Sequence, residues 1–145
     1  MTASKPSLAR RQDSLGWQVA VLSEEMAAAL DERLRPRGLT IAEWPTLFSL
    51  WERDGITQTE LSRACRTRNY TTSRVIDRLE EAGWVARKED PASRRNWRVE
   101  LTAGGRKRMT QLLAEADAVN RQFLARLTPA QGRTLQHLLA VMVSS

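Results

Sequence analysis

The apolar residues of this chain change period twice, and that change limits the fold more than any other feature. From residue 14 to residue 82 they recur every three or four positions, as on one face of a helix. At Trp97, Val99 and Leu101 they alternate with Arg98 and Glu100, which is the period of a strand. From residue 103 the helical spacing returns and continues to Met142. A single alternating stretch between long helical ones predicts a mainly α chain carrying one small β-hairpin.

The first helix is expected from Ser14 to Leu34, with Leu15, Val19, Leu22, Met26, Leu30 and Leu34 on its apolar side, and Pro36 and Gly38 ending it. A second is expected from Thr40, where Glu43 completes a capping-box pattern, with Ile41, Trp44, Leu47, Phe48 and Trp51 as its buried stripe. Pro45 should remove one backbone hydrogen bond just past its first turn. Thr57 and Glu60 form a second capping-box pattern that opens a short helix through Ala64. After a turn at Arg66–Arg68, a fourth helix runs from Asn69 to Ala82 and ends at Gly83. Trp84–Lys88 pairs with the alternating strand, and the basic segment EDPASRRN joins the two, placing Arg94 and Arg95 at the hairpin tip. The helix from Ala103 carries Met109, Leu112, Leu113, Ala116, Val119, Phe123, Leu124 and Leu127. Thr128-Pro129 opens the last one, with Leu135, Leu138, Leu139 and Met142.

Charge falls in one place. Residues 53–108 hold 14 Lys/Arg against 8 Asp/Glu, whereas the rest of the chain holds 9 of each. The whole net charge of +6 therefore belongs to the middle segment. A local basic field suits a polyanionic partner, because each neutralised phosphate releases a counterion. Helical phase sharpens this reading. In the fourth helix Thr72, Val75, Ile76, Leu79 and Ala82 gather on one side, while Tyr70, Ser73, Arg74, Asp77 and Glu81 gather on the other. The exposed side begins with aromatic, hydroxyl and guanidinium groups and becomes acidic only at its end. A recognition helix puts its N-terminal half against base edges in the major groove. An arginine-tipped hairpin directly after it can reach a narrow minor groove.

The run LSRACRTRNYTTSRVIDRLEEAGWVARKEDPASRRNWRVELT resembles the MarR family of winged helix-turn-helix regulators, nearer to its SlyA-like members. Leu61 opens the pattern, residues Arg74 to Glu80 match the recognition-helix core, Gly83-Trp84-Val85 leads into the wing, and Leu101-Thr102 with Gly105-Arg106 closes it. The resemblance implies one MarR-like domain over residues 1–145. A winged helix-turn-helix lobe at 40–102 is held between N- and C-terminal dimerisation helices at 14–36 and 103–145. It implies a homodimer on a pseudo-palindromic double-stranded DNA operator, most often as a repressor, and control by a small aromatic or phenolic ligand. Carried over by position, Arg95 is the wing arginine for the minor groove, with Arg94 beside it. Arg68, Asn69, Tyr70, Thr71, Ser73, Arg74 and Arg78 form the helix set. The sequence departs from the family where Ser93 replaces an aspartate before the wing arginine, leaving Asp90 as the nearest carboxylate. It departs again where Arg66 replaces a glycine and Thr67 a small apolar residue in the helix-turn-helix turn.

Five of the eight aromatic residues are tryptophans. Trp17, Trp44 and Phe48, with Trp51, fall on the first two helices, where they either line an apolar ligand cleft or pack as ordinary core. Cys65 occupies an apolar position and reads as a small buried hydrophobe rather than a redox switch. With His137 the only histidine, no His/Cys metal site and no cofactor is implied. No glycine-rich phosphate loop or nucleophile motif points to an enzyme. A winged helix also serves as a protein-contact module, but the localised basic charge favours DNA. One cysteine, no apolar run long enough to span a bilayer, and no leader-like N-terminus lead us to expect a cytoplasmic protein.

Overall fold

The computed structural model describes residues 10–144, so the reading of the first nine residues as leaderless lies outside the described part. The elements are α1 (Leu15–Leu34), α2 (Trp44–Glu52), β1 (Ile56–Thr57), α3 (Gln58–Ala64), α4 (Asn69–Glu81), β2 (Val85–Asp90), β3 (Ser93–Leu101), α5 (Ala103–Leu124) and α6 (Pro129–Val143). Hydroxyl caps set several starts: Ser14 on α1, Thr57 on α3, Thr102 on α5 and Thr128 on α6 each accept a backbone N–H of the first turn. Glu60 and Gln131 complete reciprocal capping boxes on α3 and α6.

The second helix starts later than its sequence suggests. Thr40 and Glu43 do interact, since Glu43 Oε2 accepts from the Thr40 N–H at 2.8 Å and from its hydroxyl at 2.5 Å. They close a turn ahead of α2 rather than a helix start. Pro45 consequently lies in the first turn of α2 and removes no hydrogen bond there. The expected stripe of this helix is also shifted, for Leu47 and Leu50 are fully buried while Phe48 is exposed.

One continuous core joins the elements. Leu47, Leu50, Leu61, Ile76, Leu79, Trp84 and Val99 fill the lobe, and Leu30, Leu34, Met109, Leu112, Val119 and Phe123 extend the same cluster between α1 and α5. Arg33 and Arg37, at the end of α1 and just beyond it, clasp Glu115 of α5 at 2.9 and 3.1 Å. Where the wing meets α5 the backbones come very close. A Cβ on Gly105 would lie 2.1 Å from the Trp84 carbonyl oxygen, so only glycine fits.

The sheet has three antiparallel strands in the order β1–β3–β2, not two. Ile56 pairs with Val99, which hangs the hairpin on the segment before α3. Along β2 and β3 the register runs from Val85–Leu101 through Arg87–Val99 to Glu89–Trp97, and then jumps to Asp90–Ser93. Residues 94–96 are extruded as a bulge beside the Pro91-Ala92 turn, so Arg94 and Arg95 stand next to the tip rather than on it. Two apolar expectations fail at the rim of the lobe. Ala82 is exposed at the end of α4, and Trp97 is 45% exposed because the wing carries it beyond the core that covers Val99 and Leu101.

Candidate nucleic-acid interface

Helix α4 is seated by Thr72, Val75, Ile76 and Leu79, all buried, which turns Tyr70, Arg74 and Asp77 outward. Its N-cap, Arg68, makes no side-chain cap hydrogen bond, and the first-turn residues Asn69, Tyr70 and Thr71 are all exposed. The donors of that turn and the positive end of the helix dipole therefore face solvent together. Tyr70 is 70% exposed, and its hydroxyl accepts a 3.0 Å hydrogen bond from Arg74.

The wing is fixed to this helix by a residue the sequence reading missed. Arg87 lies inward on β2, opposite Val99. Its guanidinium reaches Asp77 at 2.7 Å, Glu80 at 3.2 Å and the Ser73 carbonyl at 3.2 Å. Ser73 is thus half-buried, and its hydroxyl also accepts from Arg87 at 3.4 Å. The available signal was an arginine at an inward strand position, one turn of pleat beyond buried Val85. A second anchor lies at the wing root. Asp90 is buried and accepts from the Ala92 N–H at 3.1 Å and from Arg98 Nε at 3.0 Å. Arg98 in turn donates to the Gly55 carbonyl at 2.8 Å. The Ala92 hydrogen bond, followed by Arg98, holds the Asp90 carboxyl below the usual range. Asp90 therefore braces Arg98 and the hairpin turn, not Arg95. Within the bulge, the Arg95 N–H donates to Ser93 Oγ at 3.3 Å.

Ion pairing sorts twelve of the fourteen basic residues of this segment into two sets, Lys107 and Arg108 on α5 being the other two, with Arg108 lying over the Trp84 ring. Arg53, Arg78, Arg87, Lys88, Arg98 and Arg106 each meet a carboxylate: Glu60, Glu43, Asp77, Glu100, Asp90 and Asp54 respectively. Arg78, expected among the DNA-facing residues, is held at 3.2 Å by the buried Glu43 that precedes α2. Arg63, Arg66, Arg68, Arg74, Arg94 and Arg95 meet no carboxylate among the described residues, and all are exposed. These six belong to the end of α3, the turn into α4, the outward side of α4 and the wing bulge. Most of the segment's uncompensated charge is concentrated there, next to the open N-terminal turn of α4, while Lys107 and Arg108 carry the rest on α5.

Of the three aromatic candidates, two come together. Trp44 and Phe48 stack with ring centroids 5.3 Å apart and help line a cavity of about 480 Å³ together with Leu30, Leu113 and Val119. Trp17 does not line it; it sits near the start of α1 beneath the Arg11 guanidinium, 5.5 Å from the ring centre. Cys65 is half-buried against the core, with Sγ 3.7 Å from the Thr46 hydroxyl.

A family model described as MarR family matches residues 39–97. Over 120 residues the chain is 36% identical to HTH-type transcriptional repressor Rv2887 of Mycobacterium tuberculosis, an alignment spanning 83% of this chain and 84% of that protein. The chain belongs to the MarR family. Membership places it among transcriptional regulators and not among enzymes. A MarR transcriptional regulator from Methanosarcina mazei superposes with a TM-score of 0.86 at 27% identity, over 90% of this chain and 94% of that one. A cysteine-to-serine variant of Escherichia coli MarR, solved in complex with operator DNA, superposes with a TM-score of 0.79. It is 28% identical and the match covers 88% of this chain and 92% of that one. The MarR fold of this chain is the winged helix just described.

Proposed function

We propose that the chain is a sequence-specific repressor that binds double-stranded DNA as a homodimer on a pseudo-palindromic operator. The observation that carries this reading is the partition of the cations. Arg78, Arg87 and Arg98, which flank this surface, are neutralised in place, while Arg63, Arg66, Arg68, Arg74, Arg94 and Arg95 on it are left for an outside anion. Tyr70, Thr71 and Arg74 would face the major groove, and Arg94 and Arg95 the flanking minor groove. The name of the mycobacterial relative supports repression, and the operator complex of the Escherichia coli relative supports the docking mode.

Dimerisation is supported by apolar surface that one chain leaves open. Leu15 and Val19 at the start of α1, and Leu138, Leu139 and Met142 on α6, are all exposed, Met142 to 60%. Helix α6 contributes only Gly132 to the buried set among the described residues. Exposed apolar area of this kind marks an interface, and two-fold closure is its commonest form. No helix among the described residues is long and apolar enough to cross a membrane, which fits a regulator acting on DNA in the cytoplasm.

A small aromatic or phenolic compound is the proposed effector, bound in the cavity beneath Trp44 and Phe48 between the lobe and α5. A gel-shift titration on selected genomic fragments at rising salt tests the DNA reading. Binding should weaken steeply as salt rises and prefer some fragments over others. Salt-independent or absent binding would leave a protein-contact module as the better reading.

A further inference from the structure

Three turns of the chain close in the same way. Gly38 and Leu39 donate to the carbonyls of Arg35 and Leu34, Gly83 and Trp84 to those of Glu80 and Leu79, and Arg66 and Thr67 to those of Arg63 and Ser62. This paired cap needs a left-handed residue at its centre. Gly38 and Gly83 supply it with φ of 73° and 78°. In the third cap the centre is Arg66 at φ 51°, the only non-glycine residue with positive φ among those described. A residue with a Cβ is strained there, and the residue the chain uses at the other two caps would relieve it.

Local strain persists where the side chain is needed. Inside the chain Arg66 has no such use: it is exposed, and its side chain makes no hydrogen bond, ion pair or ring contact with the described residues. Its position is the joint between α3 and α4, between Arg63 and Arg68, immediately before the helix proposed to enter the major groove. In helix-turn-helix docking the chain ahead of the recognition helix crosses the sugar-phosphate backbone. We infer that Arg66 is a phosphate clamp, whose guanidinium takes a DNA backbone phosphate at the edge of that groove. The turn is kept less stable than glycine would make it so that this clamp exists. The inference rests on the DNA-binding reading above.

Three variants of the full chain separate strain from phosphate binding. Arg66→Gly removes both, Arg66→Ala removes only the guanidinium, and Arg66→Lys keeps the charge. Melting curves are combined with anisotropy titrations of a mixed-sequence B-form duplex over a range of salt, since a phosphate clamp does not depend on sequence. Arg66→Gly should melt about 3 °C higher than the parent. It should nevertheless bind about ten-fold more weakly, with the salt slope reduced by about 0.9 for each phosphate left unneutralised. Arg66→Ala should bind as weakly without the thermal gain, and Arg66→Lys should keep most of the affinity. Parent binding with Arg66→Gly unchanged in affinity and slope overturns the clamp alone. A glycine variant that melts no higher overturns the strain argument. A parent chain that binds no duplex at low salt overturns the DNA-binding reading itself.

Discussion

Arg74 Nη1 donates a 3.0 Å hydrogen bond to the Tyr70 hydroxyl, and its guanidinium carbon lies 5.4 Å from the centre of that ring. The two residues are one helical turn apart on the outward side of α4. A long side chain is thereby ordered before DNA arrives, which lowers the entropy lost on binding. Arg74→Ala is expected to cost about 1–3 kcal/mol of DNA affinity and to relax preference at one base position. Tyr70→Phe keeps the ring and removes the acceptor, so its loss should be about three-fold, with stability unchanged within about 0.5 kcal/mol. Competition titrations with single-position operator variants measure both. Arg95→Ala should act differently, losing most on operators with A·T-rich flanks. Full affinity in all three variants would refute the assignment of this surface.

Gly105→Ala tests the junction of wing and α5. Its Cβ would meet the Trp84 carbonyl oxygen, which also accepts from the Thr102 N–H at 3.0 Å, so backbone must shift. We expect a loss of about 2–3 kcal/mol in urea denaturation. An unperturbed midpoint would show that the two segments are not packed as described.

Acid should destabilise the fold through identifiable carboxylates. The Ile41 N–H, and then Arg35, hold Asp31 below its ordinary pKa. The Thr57 N–H does the same for Glu60, the Ala92 N–H for Asp90, and the Arg33 hydrogen bond followed by the charges of Arg37 and Arg33 for Glu115. A lowered folded-state pKa contributes stability that is present above the unfolded value and is lost as pH falls through the folded one. Urea midpoints should hold from neutrality to about pH 5 and drop below about pH 4. Glu115→Gln should make that drop shallower. A midpoint that rises on acidification would contradict the sign.

Ligand control is testable by linkage. A compound that weakens operator binding must itself bind less tightly when operator is present, by the same factor. The coupling expected of such an effector is about 1–3 kcal/mol. Salicylate-like phenolic acids can be titrated by tryptophan fluorescence, with and without operator, and Trp44→Leu serves as the control for the cavity. Equal affinities in both titrations would rule the compound out as an effector.

Much of the lobe was legible because its periods are long enough to count. The inward set Thr72, Val75, Ile76 and Leu79 is buried as the helical phase implies, and the caps at Thr57 and Thr128 form where the sequence places them. Strand β1 was not legible, since two residues carry no period and Ile56 is fixed only by pairing with Val99. The start of α2 was misplaced because Thr40 and Glu43 have the spacing of a capping box yet close a turn. Tertiary partners decided the rest. Nothing near Arg78 in sequence indicates Glu43, and the inward strand position of Arg87 does not name Asp77 as its partner. Trp17 and Trp44 share a composition bias but not a cavity, because Trp17 lies nine residues ahead of Met26, the first α1 residue of the lining.

Footprinting on a genomic fragment selected by the full chain, with the mass of the complex measured by light scattering, bears most directly on the proposed function. Two protected half-sites in inverted orientation are expected, with centres about 10–10.5 bp apart or a multiple of that, under two copies of the chain. Leu138→Glu on α6 should weaken the pair and the footprint together. A single asymmetric protected half-site under one copy, or no protection at any fragment, would contradict a dimeric DNA-binding regulator.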